Sequence, residues 1–122
     1  MRLLILEDSP IQAEILIDTL NRVYPSQVTS KLTDRLVDFN KLADSEAFDA
    51  FLVDLNVLDA KAAEVAAALH GMPTQLQRKI IIHSSESWLN VNMLGLAKFQ
   101  TTPKGSSQFE LRRALNSVLT TT

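Results

Sequence analysis

The chain has 122 residues, 46 % of them apolar and 21 % charged, which fits one soluble domain with a single core and excludes a disordered chain. It has no cysteine, which rules out a disulfide framework, a thiolate zinc site and a cysteine nucleophile. A net charge of −2 argues against a domain that binds nucleic acid directly, and the three glycines, Gly71, Gly95 and Gly105, are too dispersed for a phosphate-cradling loop.

Leu3-Leu4-Ile5-Leu6 is a short apolar run ending at Glu7-Asp8, the pattern of a strand buried on both faces. It is too short for a signal peptide, and no run approaches a membrane span. Ser9-Pro10-Ile11-Gln12 opens a helix, with Ser9 as N-cap, Pro10 at the first helical position and Gln12 completing a capping box. Ile11, Ile15, Leu16, Leu20 and Val23 form its expected apolar stripe, and Tyr24-Pro25 ends it. Val28, Ser30 and Leu32 alternate with polar neighbours and predict a half-exposed edge strand. Thr33-Asp34 is the predicted cap of a second helix carrying Leu36, Val37, Phe39, Leu42 and Ala43. Phe48 to Leu55 contains the strongest buried-strand signal and carries Asp54 near its end. Asp59 is the predicted cap of a third helix with Ala62, Val65, Ala66 and Leu69 on one face, stopped by Gly71 and Pro73. Lys79 to His83 is a further buried strand, followed by Ser84-Ser85. A short helix over Trp88 to Leu94, a weak strand over Lys98 to Thr101, and a final helix capped by Ser107 and Glu110 complete the chain.

Strands and helices thus alternate five times, which predicts a parallel sheet covered by helices on both faces. In this length the pattern predicts the flavodoxin-like α/β sandwich, a five-stranded sheet of order 2-1-3-4-5. Its first and third strands are neighbours, and a ligand belongs in the crevice at their carboxyl ends. Glu7, Asp8, Asp54, Ser84, Ser85, Thr101, Thr102 and Lys104 all fall at that edge. Taken singly, each acidic residue reads as a loop cap or a solvated charge. Together, three carboxylates in a small volume repel unless a cation neutralises them, and an oxygen-seeking ion such as Mg²⁺ meets that need. A carboxylate beside such an ion can attack phosphorus, with hydroxyls or a lysine holding the phosphoryl oxygens.

Over essentially its whole length, 1–122, the sequence resembles the receiver domain of bacterial two-component response regulators. Glu7-Asp8-Ser9-Pro10 is similar to the family's first-strand signature, and Phe51-Leu52-Val53-Asp54-Leu55-Asn56 to its phosphoacceptor segment. The resemblance implies that Asp54 accepts a phosphoryl group from a histidine kinase or phosphotransfer protein. It implies Mg²⁺ as cofactor, held by Glu7, Asp8, Asp54 and the backbone carbonyl of Asn56. Ser84, thirty residues after Asp54, falls at the phosphoryl-binding hydroxyl position, and Phe99 at the aromatic switch position. Asp59 to Glu64 also follows the family spacing. The implied protein is cytoplasmic and not an enzyme. Its partners are a kinase and a downstream output protein or domain, with a second copy of the chain as a further candidate, and neither nucleic acid nor membrane.

Three departures accompany the resemblance. The Gly95-to-Pro103 spacing puts Thr102 where the family has lysine, with Lys104 two positions on, beyond Pro103. A neutral threonine cannot form an ion pair with a phosphoryl group, so Lys104 is the candidate substitute, and the resemblance implies Thr102 and Lys104 as phosphoryl-binding or switch positions beside Ser84 and Phe99. Leu58 and Ala62 replace a usual proline and glycine, and the stretch from Ser84 to Thr102 is short by about one helical turn. These departures motivate an alternative, a degenerate receiver that binds or dimerises without phosphorylation. A phosphatase with an aspartate nucleophile ranks lower, because Asn56 stands where its acid/base carboxylate belongs. Flavin binding ranks lower still, since the acidic first loop would repel a phosphate. Among the other residues, His83 reads as a packed or rim histidine, His70 as complementing a helix dipole, Trp88 as packing or an interface anchor, and Arg112-Arg113 as a solvated face.

Overall fold

The structure is a computed structural model that describes residues 1–120, and of Trp88 and Leu89 only the backbone. Five strands, β1 (Arg2–Leu6), β2 (Thr29–Thr33), β3 (Ala50–Val53), β4 (Ile80–Ile82) and β5 (Gln100–Thr101), form one parallel sheet. Their order is β2-β1-β3-β4-β5, as the alternation of elements predicts. Six helices connect or follow them: α1 (Pro10–Val23), α2 (Leu36–Ser45), α3 (Ala62–His70), α4 (Thr74–Gln77), α5 (Trp88–Met93) and α6 (Gln108–Leu119). The four-residue α4, entered through Pro73, is absent from the sequence reading.

Successive side chains of a strand point to opposite faces, and here both faces are covered. Leu3 and Ile5 join Leu52, Ile81, Leu16, Leu20, Leu111 and Leu115 in one core, under α1 and α6. Leu4 and Leu6 join Phe51, Val53, Ile80, Ile82, Phe39, Val65 and Leu69 in the other, under α2, α3 and α5. This is why the central strands are apolar without alternation. Phe51 anchors the second core, with Phe39 at 5.8 Å and Phe48 at 5.9 Å between ring centroids.

Four local expectations change. The buried stripe of α1 is Ala13, Leu16 and Leu20, while Ile11 and Ile15 are 70 % and 54 % exposed. Two overlapping periodic stripes exist on this helix, and the buried one carries Leu16 and Leu20, which pack with Leu3, Ile5 and the α6 residues Leu111 and Leu115. Ser9 does cap α1, accepting from the Gln12 N–H at 3.3 Å, but the Ser9 N–H donates to Glu7 Oε1 at 3.1 Å, so Glu7 takes the part assigned to Gln12. Asp59 caps α2 rather than α3: its carboxylate accepts from the N–H groups of Leu36 (2.7 Å) and Val37 (3.2 Å). Thr33 and Asp34 do not cap α2, and the Thr33 hydroxyl is buried, donating to the Ile5 carbonyl at 2.9 Å. The N-terminus of α3 is served by Glu64, which accepts from the Lys61 N–H at 3.0 Å. On the edge strand β2, Leu32 is 46 % exposed.

Candidate functional site at the carboxyl edge of the sheet

Every strand ends at the same edge, so the residue following each apolar run is delivered there. Glu7 follows β1 and Asp54 follows β3. They are held side by side by the ladder, in which Leu6 pairs with Val53 and the Asp54 N–H donates to the Leu6 carbonyl at 2.9 Å. Both carboxylates are buried, at 3 % and 1 % exposure, while Asp8 is half-buried. Oxygens from Glu7, Asp8 and Asp54 lie within 4.8 Å of one another. Burial of a carboxylate without compensation is costly, so donors converge on these. Asn56 N–H donates to Asp54 Oδ1 at 3.2 Å.

The main compensation is Lys104. Its Nζ lies 2.8 Å from Asp54 Oδ2 and 3.0 and 2.8 Å from Glu7 Oε1 and Oε2. The Lys104 N–H donates to the Ser84 carbonyl at 3.1 Å, and Gly105, at φ +82°, turns the chain immediately afterwards. That left-handed φ suits glycine and lets the loop leave the edge once the lysine has entered. Lys104, the candidate substitute for the lysine missing at position 102, thus reaches Glu7 and Asp54.

The electrostatics follow. Burial pushes Glu7 above the ordinary carboxylate range, over the opposing effect of its Lys104 and Ser9 donors, with the Asp54 charge acting alongside burial. Burial acts to lower Lys104, but the Asp54 and Glu7 carboxylates outweigh it and hold the ammonium above its ordinary value. Three carboxylates against one ammonium leave two formal negative charges on a set of hard oxygen donors. This matches the charge and ligand preference of Mg²⁺.

The remaining predicted residues divide. Ser84 is buried at the edge after β4, its Oγ accepting from the Glu86 N–H at 3.2 Å. Ser85 and Thr101 are exposed. Thr102 is buried, and its Oγ1 and carbonyl both lie 3.0 Å from His83 Nδ1. Phe99 is buried, 5.6 Å from the His70 ring and 5.3 Å from Lys98 Nζ. The His83–Thr102 contact was missed in the sequence, although register gives a signal for it. Ile82 pairs with Thr101, so His83 and Thr102 are the next neighbours and share a face. The side chain of Trp88 lies outside the described residues.

No family model matches the chain. One curated protein, disintegrin and metalloproteinase domain-containing protein 5 of Macaca fascicularis, is 33 % identical over 64 residues, which is 52 % of this chain and 8 % of that protein. The chain thus spans under a tenth of that relative, and it contains neither cysteine nor a His-Glu-x-x-His zinc motif. Several solved structures share the fold of this chain. The receiver domain of a sensor histidine kinase from Pseudomonas aeruginosa PAO1, with a magnesium ion coordinated in its active site cleft, superposes with a TM-score of 0.79 at 16 % identity, covering 97 % of this chain and 96 % of that one. A response regulator receiver protein from Sinorhizobium medicae WSM419 gives 0.77 at 15 %, covering 99 % and 95 %. A CheY-like receiver domain from Methylobacillus flagellatus gives 0.75 at 20 %, covering 97 % and 98 %. The chain has the receiver fold. Within that fold its acidic cluster, Ser84 and Lys104 occupy the carboxyl edge of the sheet. Among the described residues no helix is long and apolar enough to cross a membrane.

Proposed function

We infer that the chain is a response-regulator receiver module in which Asp54 accepts a phosphoryl group and the change alters partner binding. The observation that carries this is Asp54 itself: a carboxylate 1 % exposed at the end of a central strand, next to two further carboxylates and a lysine. In the transfer, an Asp54 oxygen forms a bond to phosphorus. The bond from phosphorus to the donor atom, a histidine nitrogen or an acyl oxygen, breaks and leaves its electron pair on the donor. Glu7, Asp8, Asp54 and the Asn56 carbonyl would hold Mg²⁺, which when bound offsets charge on the transferring group. The Ser84 hydroxyl donates to a phosphoryl oxygen. Phe99, buried beside His70, is the residue whose environment changes on switching. The module is a phosphoacceptor rather than an enzyme. It takes its phosphoryl group from a histidine kinase or phosphotransfer protein in the cytoplasm and hands its state to an output protein or domain.

Incubating the protein with Mg²⁺ and acetyl phosphate and measuring intact mass tests this. The wild type gains one phosphoryl group and Asp54→Asn gains none. An unmodified wild type, under conditions that label a control receiver, sinks the reading. It would favour instead the phosphorylation-independent interaction module, for which the observation is that Lys104 already satisfies Glu7 and Asp54 without any ligand.

A further inference from the structure

Lys104 is not a loose surface lysine. Its side chain is 14 % exposed, against 2 % and 1 % for the Glu7 and Asp54 side chains it joins. An ammonium has three donors, and three oxygens surround this one: both of Glu7 and Oδ2 of Asp54. The backbone fixes the entry, with Pro103 before it, its own N–H on the Ser84 carbonyl and Gly105 turning after it. Thr102, just after β5, is engaged by His83.

These three oxygens sit on Glu7 and Asp54, two of the three residues whose carboxylates lie close enough together to share a divalent ion. A magnesium ion binds oxygen at about 2.0–2.1 Å and repels a neighbouring ammonium, so the two cations cannot both engage the same lone pairs. We propose that Lys104 is the resident counter-ion of the acidic cluster, and that a divalent cation binds by displacing its Nζ from Glu7. The lysine thereby sets the metal affinity. This rests on the reading of Glu7, Asp8 and Asp54 as a metal site. It adds that the affinity in the wild type is held down by an internal competitor.

A purely structural lysine makes the opposite prediction: its removal would loosen the carboxylates and weaken metal binding. The full chain, wild type and the Lys104→Gln and Lys104→Met variants, is titrated with Mg²⁺ by calorimetry and with Mn²⁺ by electron paramagnetic resonance. Both variants are expected to bind at least about tenfold more tightly, since a unit charge a few ångströms away has been removed. Mg²⁺ should also raise their melting temperatures more than that of the wild type. Lys104→Gln keeps an amide donor between the carboxylates and carries the test where the methionine variant does not fold, as checked by circular dichroism. Equal or weaker binding by the folded variants, with binding by the wild type, overturns this inference alone. Absence of binding in all three proteins overturns the metal reading of the cluster and this inference with it.

Discussion

His83 and Thr102 show how one substitution is accommodated by its neighbours. Burial lowers the His83 pKa below its ordinary 6.5, and the nearby Lys104 charge acts in the same direction, over the raising effects of the Thr102 carbonyl and Asp54. The folded protein therefore disfavours the imidazolium relative to the unfolded chain. The stabilising contribution of neutral His83 is present above 6.5 and is lost as pH falls through the folded-state value below it. Urea unfolding on either side of 6.5 should show that loss in the wild type and a smaller one in His83→Gln. An unchanged slope in the variant would mean that other groups carry it. The three carboxylates were legible in the sequence because each follows an apolar run or ends one. Thr102 was legible as a missing cation, but not as the partner of His83, because that pairing depends on which faces the short β4 and β5 strands share.

Helices were less legible than strands, and α1 shows why. A strand buried on both faces needs only to be apolar, so β1, β3 and β4 stand out in any reading. An amphipathic helix has to be oriented, and Ile11 and Ile15 outweigh Ala13 on hydropathy while the packed helix buries Ala13, Leu16 and Leu20. Truncating Ile15 to Ala should change stability by within about 0.5 kcal/mol, as for other surface positions. Truncating Leu16 should cost about 2–5 kcal/mol. Chemical denaturation of the two variants separates them, and a large loss for Ile15→Ala would reverse the observed orientation. Asp59 is a second case. It sits just before α3 in sequence and caps α2 in space, because the loop after β3 folds back over the start of that helix. The Leu36 N–H, first among its donors, holds the Asp59 pKa below 3.8, against the opposing effect of burial. Its contribution is present above 3.8 and lost as pH falls through the lower folded value. Asp59→Asn should thus lower the urea midpoint at neutral pH and match the wild type in strong acid. A difference that persisted in acid would point away from the charge.

At the scale of the whole molecule, one sheet separates two cores, and Phe51 on its central strand links α2 and the segment before β3 to it. Phe51→Ala should cost about 3–5 kcal/mol in a single cooperative transition. A separate early unfolding of one face would show instead that the layers are not coupled. The sequence by itself determined the number of strands, their order and the carboxylates at their ends. Apolar run length and the alternation with helices leave few ways to bury both faces of a parallel sheet. Only the tertiary structure decided which charges meet. Lys104 and Glu7 are separated by 97 positions, and Lys104 and Asp54 by 50. Their contact depends on the path of the loop past Pro103 and Gly105, and that path is set by where Ser84 holds the Lys104 backbone. Local patterning specifies which segments are buried. The partner of a buried charge is specified by the packing of segments distant in the chain, since only assembly of the sheet edge excludes the water that would otherwise solvate it.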